Sequence, residues 1–133
     1  MNFTIQDVLI NAKEQGASDV HLNVGIPPVF RLNGKLIKSQ FPVLEKEDVQ
    51  EIIYSILTEG QKEIFNKDKQ FDFAYEIPDV SRFRINVFYH RLGKAAAIRL
   101  IPTNIMSIEE LGLPEIVASF AKHNRGIVLV TGP

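Results

Sequence analysis

The chain has 133 residues, 45% of them apolar and 23% charged, with Lys plus Arg at 15, Asp plus Glu at 16 and a formal net charge of −1. That length can bury a core without staples; the balanced charge argues against a nucleic-acid-binding module; and the absence of cysteine removes disulfides and thiolate metal sites. No apolar run approaches the roughly 18 residues of a membrane span, and Met1 to Lys13 shows no cleavable signal pattern.

Thr4 is placed to cap a helix, with Asp7 three positions on as the capping-box acid. Ile5, Val8, Leu9 and Ala12 follow at helical spacing, and Gly16 stops the run. Ser18 to Val24 then alternates. Val20, Leu22 and Val24 face one way while Asp19, His21 and Asn23 face the other, as in a half-buried strand. Gly25-Ile26-Pro27-Pro28 is a turn. Val29 to Leu32 and Lys35 to Lys38 flank Asn33-Gly34, a pair that tolerates the positive φ angles of a tight hairpin. Val49, Ile52, Ile53, Ile56 and Leu57 make the apolar stripe of a second helix, expected to break at Gly60 before a short helix over Gln61 to Lys67.

The period now becomes two. Phe71, Phe73, Tyr75 and Ile77 alternate with Asp72, Ala74 and Glu76, and Pro78-Asp79 turns the chain. Phe83, Ile85, Val87 and Tyr89 alternate with Arg82, Arg84, Asn86 and His90, and Phe88 interrupts the polar row. Arg91 to Lys94 reads as a four-residue turn and Ala95 to Ile101 as the next strand, ended by Pro102. Such a turn sets Arg84 opposite Ile101 and Asn86 opposite Arg99. It leaves one face wholly apolar and gathers Arg82, Arg84, Asn86, His90 and Arg99 on the other. A slip of one residue would drive Arg99 into the core, at a cost of several kcal/mol for an unpaired buried charge. Ser107 with Glu110 heads a turn of helix. Pro114 opens another helix, with Leu113, Ile116, Val117, Phe120 and Ala121 as its apolar face, and Gly126 to Val130 reads as a buried strand. The class is α+β, a mainly antiparallel sheet with flanking helices.

Three arginines on one sheet face can serve two ends. Their planar guanidinium forks suit phosphate oxygens, or they stand as a solvated face salt-bridged to Asp72 and Glu76. Asp19 and His21 share a strand face, but with no nucleophile at a recognisable spacing they read as polar surface or interface residues. His21, His90 and His123 have no ligand spacing, so no metal site is expected. A strand followed by Thr131-Gly132-Pro133 is how a phosphate-binding loop begins. In Gly-x-x-x-x-Gly-Lys-[Ser/Thr], Gly132 would be the first glycine and Pro133 the first variable position.

Gly16-Ala17-Ser18-Asp19-Val20-His21-Leu22, Gly25-Ile26-Pro27-Pro28, Arg82 to Phe88, Ile98 to Pro102 and Arg125 to Pro133 occur in this order. Together they resemble the N-terminal domain of the PilT family, the type IV pilus retraction ATPases of twitching motility, over essentially the whole chain. Ala-Ser-Asp-x-His alone is shared with the wider secretion ATPase superfamily; the Arg-Phe-Arg-x-Asn and Ile-Arg-x-Ile-Pro strands are similar to the retraction branch.

The resemblance implies a PAS-like domain over residues 1–102 and a linker with helices over 103–125. Residues 126–133 would be the first strand and truncated Walker A loop of a missing RecA-like ATPase domain. It implies a piece of a cytoplasmic homohexameric motor working at the inner face of the cytoplasmic membrane. Its partners would be its own C-terminal ATPase domain, the neighbouring subunits and the pilus inner-membrane machinery. ATP and Mg2+ would bind the full-length protein, and this chain alone would carry no catalytic residue, metal or cofactor. Arg84 first, then Arg99 and Arg82, would reach the nucleotide phosphates, and Asp19 and His21 would serve the fold or an interface. The alternatives are a free-standing PAS-like sensor or a protein-interaction adaptor.

Overall fold

In a computed structural model describing residues 2–132, the chain divides into two units, residues 1–103 and 104–133. The first begins with α1 (Ile5–Glu14), closed by a reciprocal capping box: Asp7 N–H donates to Thr4 Oγ1, and Thr4 N–H donates to Asp7 Oδ2 at 2.7 Å. Ile5, Val8, Leu9 and Ala12 are its buried face. The strands are β1 (Asp19–Leu22), β2 (Val29–Leu32), β3 (Lys35–Lys38), β4 (Gln70–Ile77), β5 (Ser81–His90) and β6 (Gly93–Ile101). They form one sheet in the order β3-β2-β1-β6-β5-β4, every neighbouring pair antiparallel. Two three-stranded meanders are thus joined at a seam where β1 pairs with β6, bringing Asp19 opposite Arg99.

Between the meanders run α2 (Lys46–Ser55) and α3 (Glu59–Asp68). Here the structure corrects the expected break at Gly60. Thr58 caps α3 and Gln61 completes the capping box, so Gly60 lies inside the first helical turn. The interruption falls at Ile56 to Thr58, where the Thr58 side chain offers the backbone a new start. Val49, Ile52, Ile53 and Phe65 join Val20, Leu22, Phe30, Phe83, Ile85, Val87 and Ile98 in one core. Phe71, Phe73 and Tyr89, partly buried, pack against it.

The β5–β6 hairpin corrects the expected register. The turn contains Arg91 and Leu92 only, and His90 pairs with Gly93. Arg84 therefore faces Arg99, and Arg82 faces Ile101. Gly93 permits the tight turn with φ 145°, a value costly for a residue with a Cβ. The shift is two residues, one full strand period, so no side chain changes face.

The second unit was expected to end in a buried strand. Among the described residues no strand forms there, and Ile127 and Val130 are 87% and 95% exposed. Strand backbone needs a neighbour to take its hydrogen bonds, and none is present for this segment among the described residues. Ser107 and Glu110 do exchange both capping-box hydrogen bonds, but residues 108–112 form turns, and α4 (Ile116–Phe120) is a single short helix. Its expected apolar face is largely exposed, Ile116 to 64%.

Candidate functional site

Helices α1, α2 and α3 cover one face of the sheet through the core described above; the other face is polar. Side chains of one transverse row across this face come from successive strands: Arg31 of β2, Asp19 of β1, Arg99 of β6 and Arg84 of β5. In the next row stand His21, Ala97, Asn86 and Asp72. On the opposite side of the arginine row, Arg82 pairs with Glu76 of β4.

Asp19 is the centre of this arrangement. Its side chain is only 15% exposed. Oδ1 accepts from Arg99 Nε at 3.2 Å, and Oδ2 accepts from the Ser18 hydroxyl at 2.8 Å. Arg31 Nε lies 3.4 Å from Oδ2. Burial works to raise the Asp19 pKa, but the Ser18 hydrogen bond and the Arg99 and Arg31 charges outweigh it and hold the carboxyl below its ordinary value.

Arg84 Nε donates to Asp72 Oδ1 at 3.1 Å, and Arg82 Nε lies 3.7 Å from Glu76 Oε2. The ion pairs expected with Asp72 and Glu76 therefore form. Arg84 and Arg99 nevertheless remain 70% and 74% exposed. Both are held through Nε, beside the stem, and among the described residues their terminal Nη groups make no hydrogen bond. The carboxylates fix the stems and leave the outer forks free for a bidentate oxyanion. Asp19, Asp72, Arg84, Asn86 and Arg99 line a shallow concavity of about 200 Å³.

The three predicted arginines share this face, with Arg84 and Arg99 directly opposed and Arg82 beside them. His21 lies one row away, its Nε2 buried and without a hydrogen-bond partner. Gly132 is exposed and follows no strand, and Pro133 lies outside the described residues. Sequence reasoning did not include Arg31, although its place between two inward residues, Phe30 and Leu32, carried the signal. It did not join Asp19 to Arg99, because the pairing of β1 with β6 spans 80 residues of chain. Four guanidiniums against three carboxylates make a surface that can bind and steady an oxyanion.

No family model matches the chain. It is 40% identical over 129 residues to the type IV pilus retraction ATPase PilT of Pseudomonas aeruginosa, covering 97% of this chain and 38% of that protein. It is 38% identical over 106 residues to a twitching motility protein of Neisseria gonorrhoeae, covering 80% of this chain and 28% of the relative. The fold superimposes on the crystal structure of the pilus retraction motor PilT with bound ADP at a TM-score of 0.84 and 39% identity, covering 99% of this chain and 39% of that one. Likeness to the Legionella pneumophila ATPase DotB, TM-score 0.67 at 24% identity over 88% of this chain and 34% of the other, shows a shared fold. The chain thus spans 38% of the length of its Pseudomonas relative and 28% of its Neisseria relative.

Proposed function

Given that this chain is a homologue of the type IV pilus retraction ATPases, we propose that it is the N-terminal, nucleotide-covering domain of such a motor. In this reading residues 1–102 are the covering domain, 103–125 the linker with its helices, and 126–133 the segment that becomes the first strand and Walker A start when the ATPase domain supplies its pairing partners. ATP and Mg2+ bind that ATPase domain, and the motor is a cytoplasmic homohexamer working against the pilus inner-membrane machinery. The polar sheet face is laid over nucleotide phosphates held by an ATPase domain, its own or a neighbouring subunit's. Arg84 and Arg99, with Arg82 beside them, neutralise charge on the terminal phosphate, and loss of that phosphate releases the face and allows the domains to rotate.

The observation that carries this reading is the way the arginines are held. A face built only for solvation has no need to anchor guanidiniums by Nε while leaving both outer nitrogens free. Residues 1–133 hydrolyse no ATP in this reading, since a complete phosphate loop and a water-activating carboxylate belong to the other domain.

The test is Arg84→Glu in the full-length protein. The expected result is loss of ATPase rate with the hexamer intact by sizing and native mass. Normal ATPase rate with loss of binding to a pilus-machine partner would overturn it in favour of the adaptor reading, in which the same arginines hold a protein.

A further inference from the structure

The second concentration of positive charge lies at the β5–β6 turn, away from the arginine row. Lys46 of α2, Lys94 of β6, Arg91 in the turn and His90 of β5 line a concavity of about 220 Å³, with Gln50 and Gly93. No carboxylate lines it: the acidic residues in the first turn of α2, Glu47 and Asp48, are absent from its walls.

The cations there are placed by structure. Gly93 lets the turn approach α2 so closely that a Cβ would stand 3.3 Å from Lys46 Cγ. Lys94 Nζ sits 4.9 Å from the Tyr54 ring centre and 5.0 Å from that of Tyr89, and it donates to Gln50 Oε1. Both tyrosine hydroxyls donate to Asn66 Oδ1 at 2.8 Å, which fixes the rings beneath it. Neither Lys46, Arg91 nor Lys94 forms an ion pair among the described residues.

His90 lines the hollow without offering its ring to it: Nδ1 accepts from Leu92 N–H at 3.3 Å, and Nε2 is buried from solvent. The hollow is therefore a place where three unpaired cations converge with no carboxylate to neutralise them.

We infer that this hollow is an anion site, distinct from the arginine face, that takes a phosphate group: inorganic phosphate or the phosphate end of a small monoester. Lys46 and Lys94 supply charge and ammonium donors, and Arg91 closes the mouth. The site does not depend on the proposed motor function.

The test is an NMR titration of residues 1–133 with orthophosphate and, in parallel, glycerol 3-phosphate, against potassium chloride at matched ionic strength. Saturable shifts are expected at the Lys46, Arg91, Gly93 and Lys94 amides, absent with chloride. The double variant Lys46→Gln, Lys94→Gln should weaken this binding at least tenfold with an otherwise unchanged spectrum. Arg84→Gln, Arg99→Gln should leave it as in the parent. Shifts with both phosphates identify a site open to monoesters; shifts with orthophosphate alone restrict it to the free ion. Shifts that chloride reproduces, or that vanish in the Arg84/Arg99 variant and persist in the Lys46/Lys94 one, overturn the proposal. If the lysine variant loses its dispersed spectrum, Arg91→Gln decides: unaltered phosphate binding there overturns it equally.

Discussion

Arg84 of β5 and Arg99 of β6 are direct partners across an antiparallel ladder, two like charges where a sheet ordinarily disfavours them. Each is drawn away from the other by a carboxylate on its far side, Asp72 for Arg84 and Asp19 for Arg99. The opposition is thus relieved by its flanks while both outer forks stay exposed. An oxyanion placed between them would relieve it further.

Removing one flank should shift this balance. Asp72→Asn leaves Arg84 without its carboxylate, and Asp72 is exposed enough that stability should change by only about 0.5 kcal/mol. Orthophosphate affinity at the arginine face should rise severalfold, read from the Arg84 and Arg99 side-chain resonances. Arg84→Gln, Arg99→Gln should abolish it. Unchanged affinity in Asp72→Asn would mean that the charge of the carboxylate does not weaken anion binding at the fork.

Asp19→Asn should cost about 1 kcal/mol at neutral pH, since a mostly buried carboxylate loses charged hydrogen bonds while its arginines remain solvated. The pH dependence has a definite sign. The folded carboxyl titrates below its ordinary value of 3.8, so its stabilisation is complete above that value and is lost as pH falls through the folded one. Denaturant midpoints of the parent and Asp19→Asn should differ at pH 7 and converge in acid. A gap that persists in acid would assign the effect to packing.

Gly60→Ala tests where the helices divide. Gly60 lies inside α3 with nothing within 4 Å of a Cβ added there, so alanine should stabilise by about 0.5–1 kcal/mol and raise the melting temperature. A true helix-breaking position would show a loss. Thr58→Ala, which removes the cap of α3, should cost about 1 kcal/mol.

Gly93→Ala should be the more damaging glycine substitution. It meets both a positive φ of 145° and contacts at 3.3 Å with Lys46 Cγ and Val24 Cγ2. Gly25→Ala meets a positive φ of 84° in open space. Thermal unfolding of the pair should show a loss of about 1 kcal/mol or more for Gly25→Ala and a larger one for Gly93→Ala. Equal losses would mean that the Lys46 stem gives way freely.

Much of the architecture was legible because it is written in local periods. Ile5, Val8, Leu9 and Ala12 mark the buried stripe of α1, and Thr4 with Asp7 marks its start; both survive in the structure. The alternation from Phe71 to Tyr89 assigned each β4 and β5 residue to its face, and the three arginines emerged together on the polar one. The Asn33-Gly34 hairpin formed with φ 49° and 80° at its two positions. Gly60 misled because a glycine near a helix start resembles one near a helix end; the cap three residues before Gln61 decides between them, and that is a matter of hydrogen bonds rather than composition.

The sequence by itself determined which side chains share a face, because alternation along a strand is a property of the backbone and survives any shift of two residues. For that reason it could not choose between a turn of four residues and the observed turn of two, and so could not see that Arg84 confronts Arg99. Nor could it join Asp19 to Arg99 across the β1–β6 seam. That contact exists only once both meanders and the helices between them have closed around one core. Tertiary structure alone therefore decided which carboxylate holds each arginine, and so which nitrogens are left facing outward.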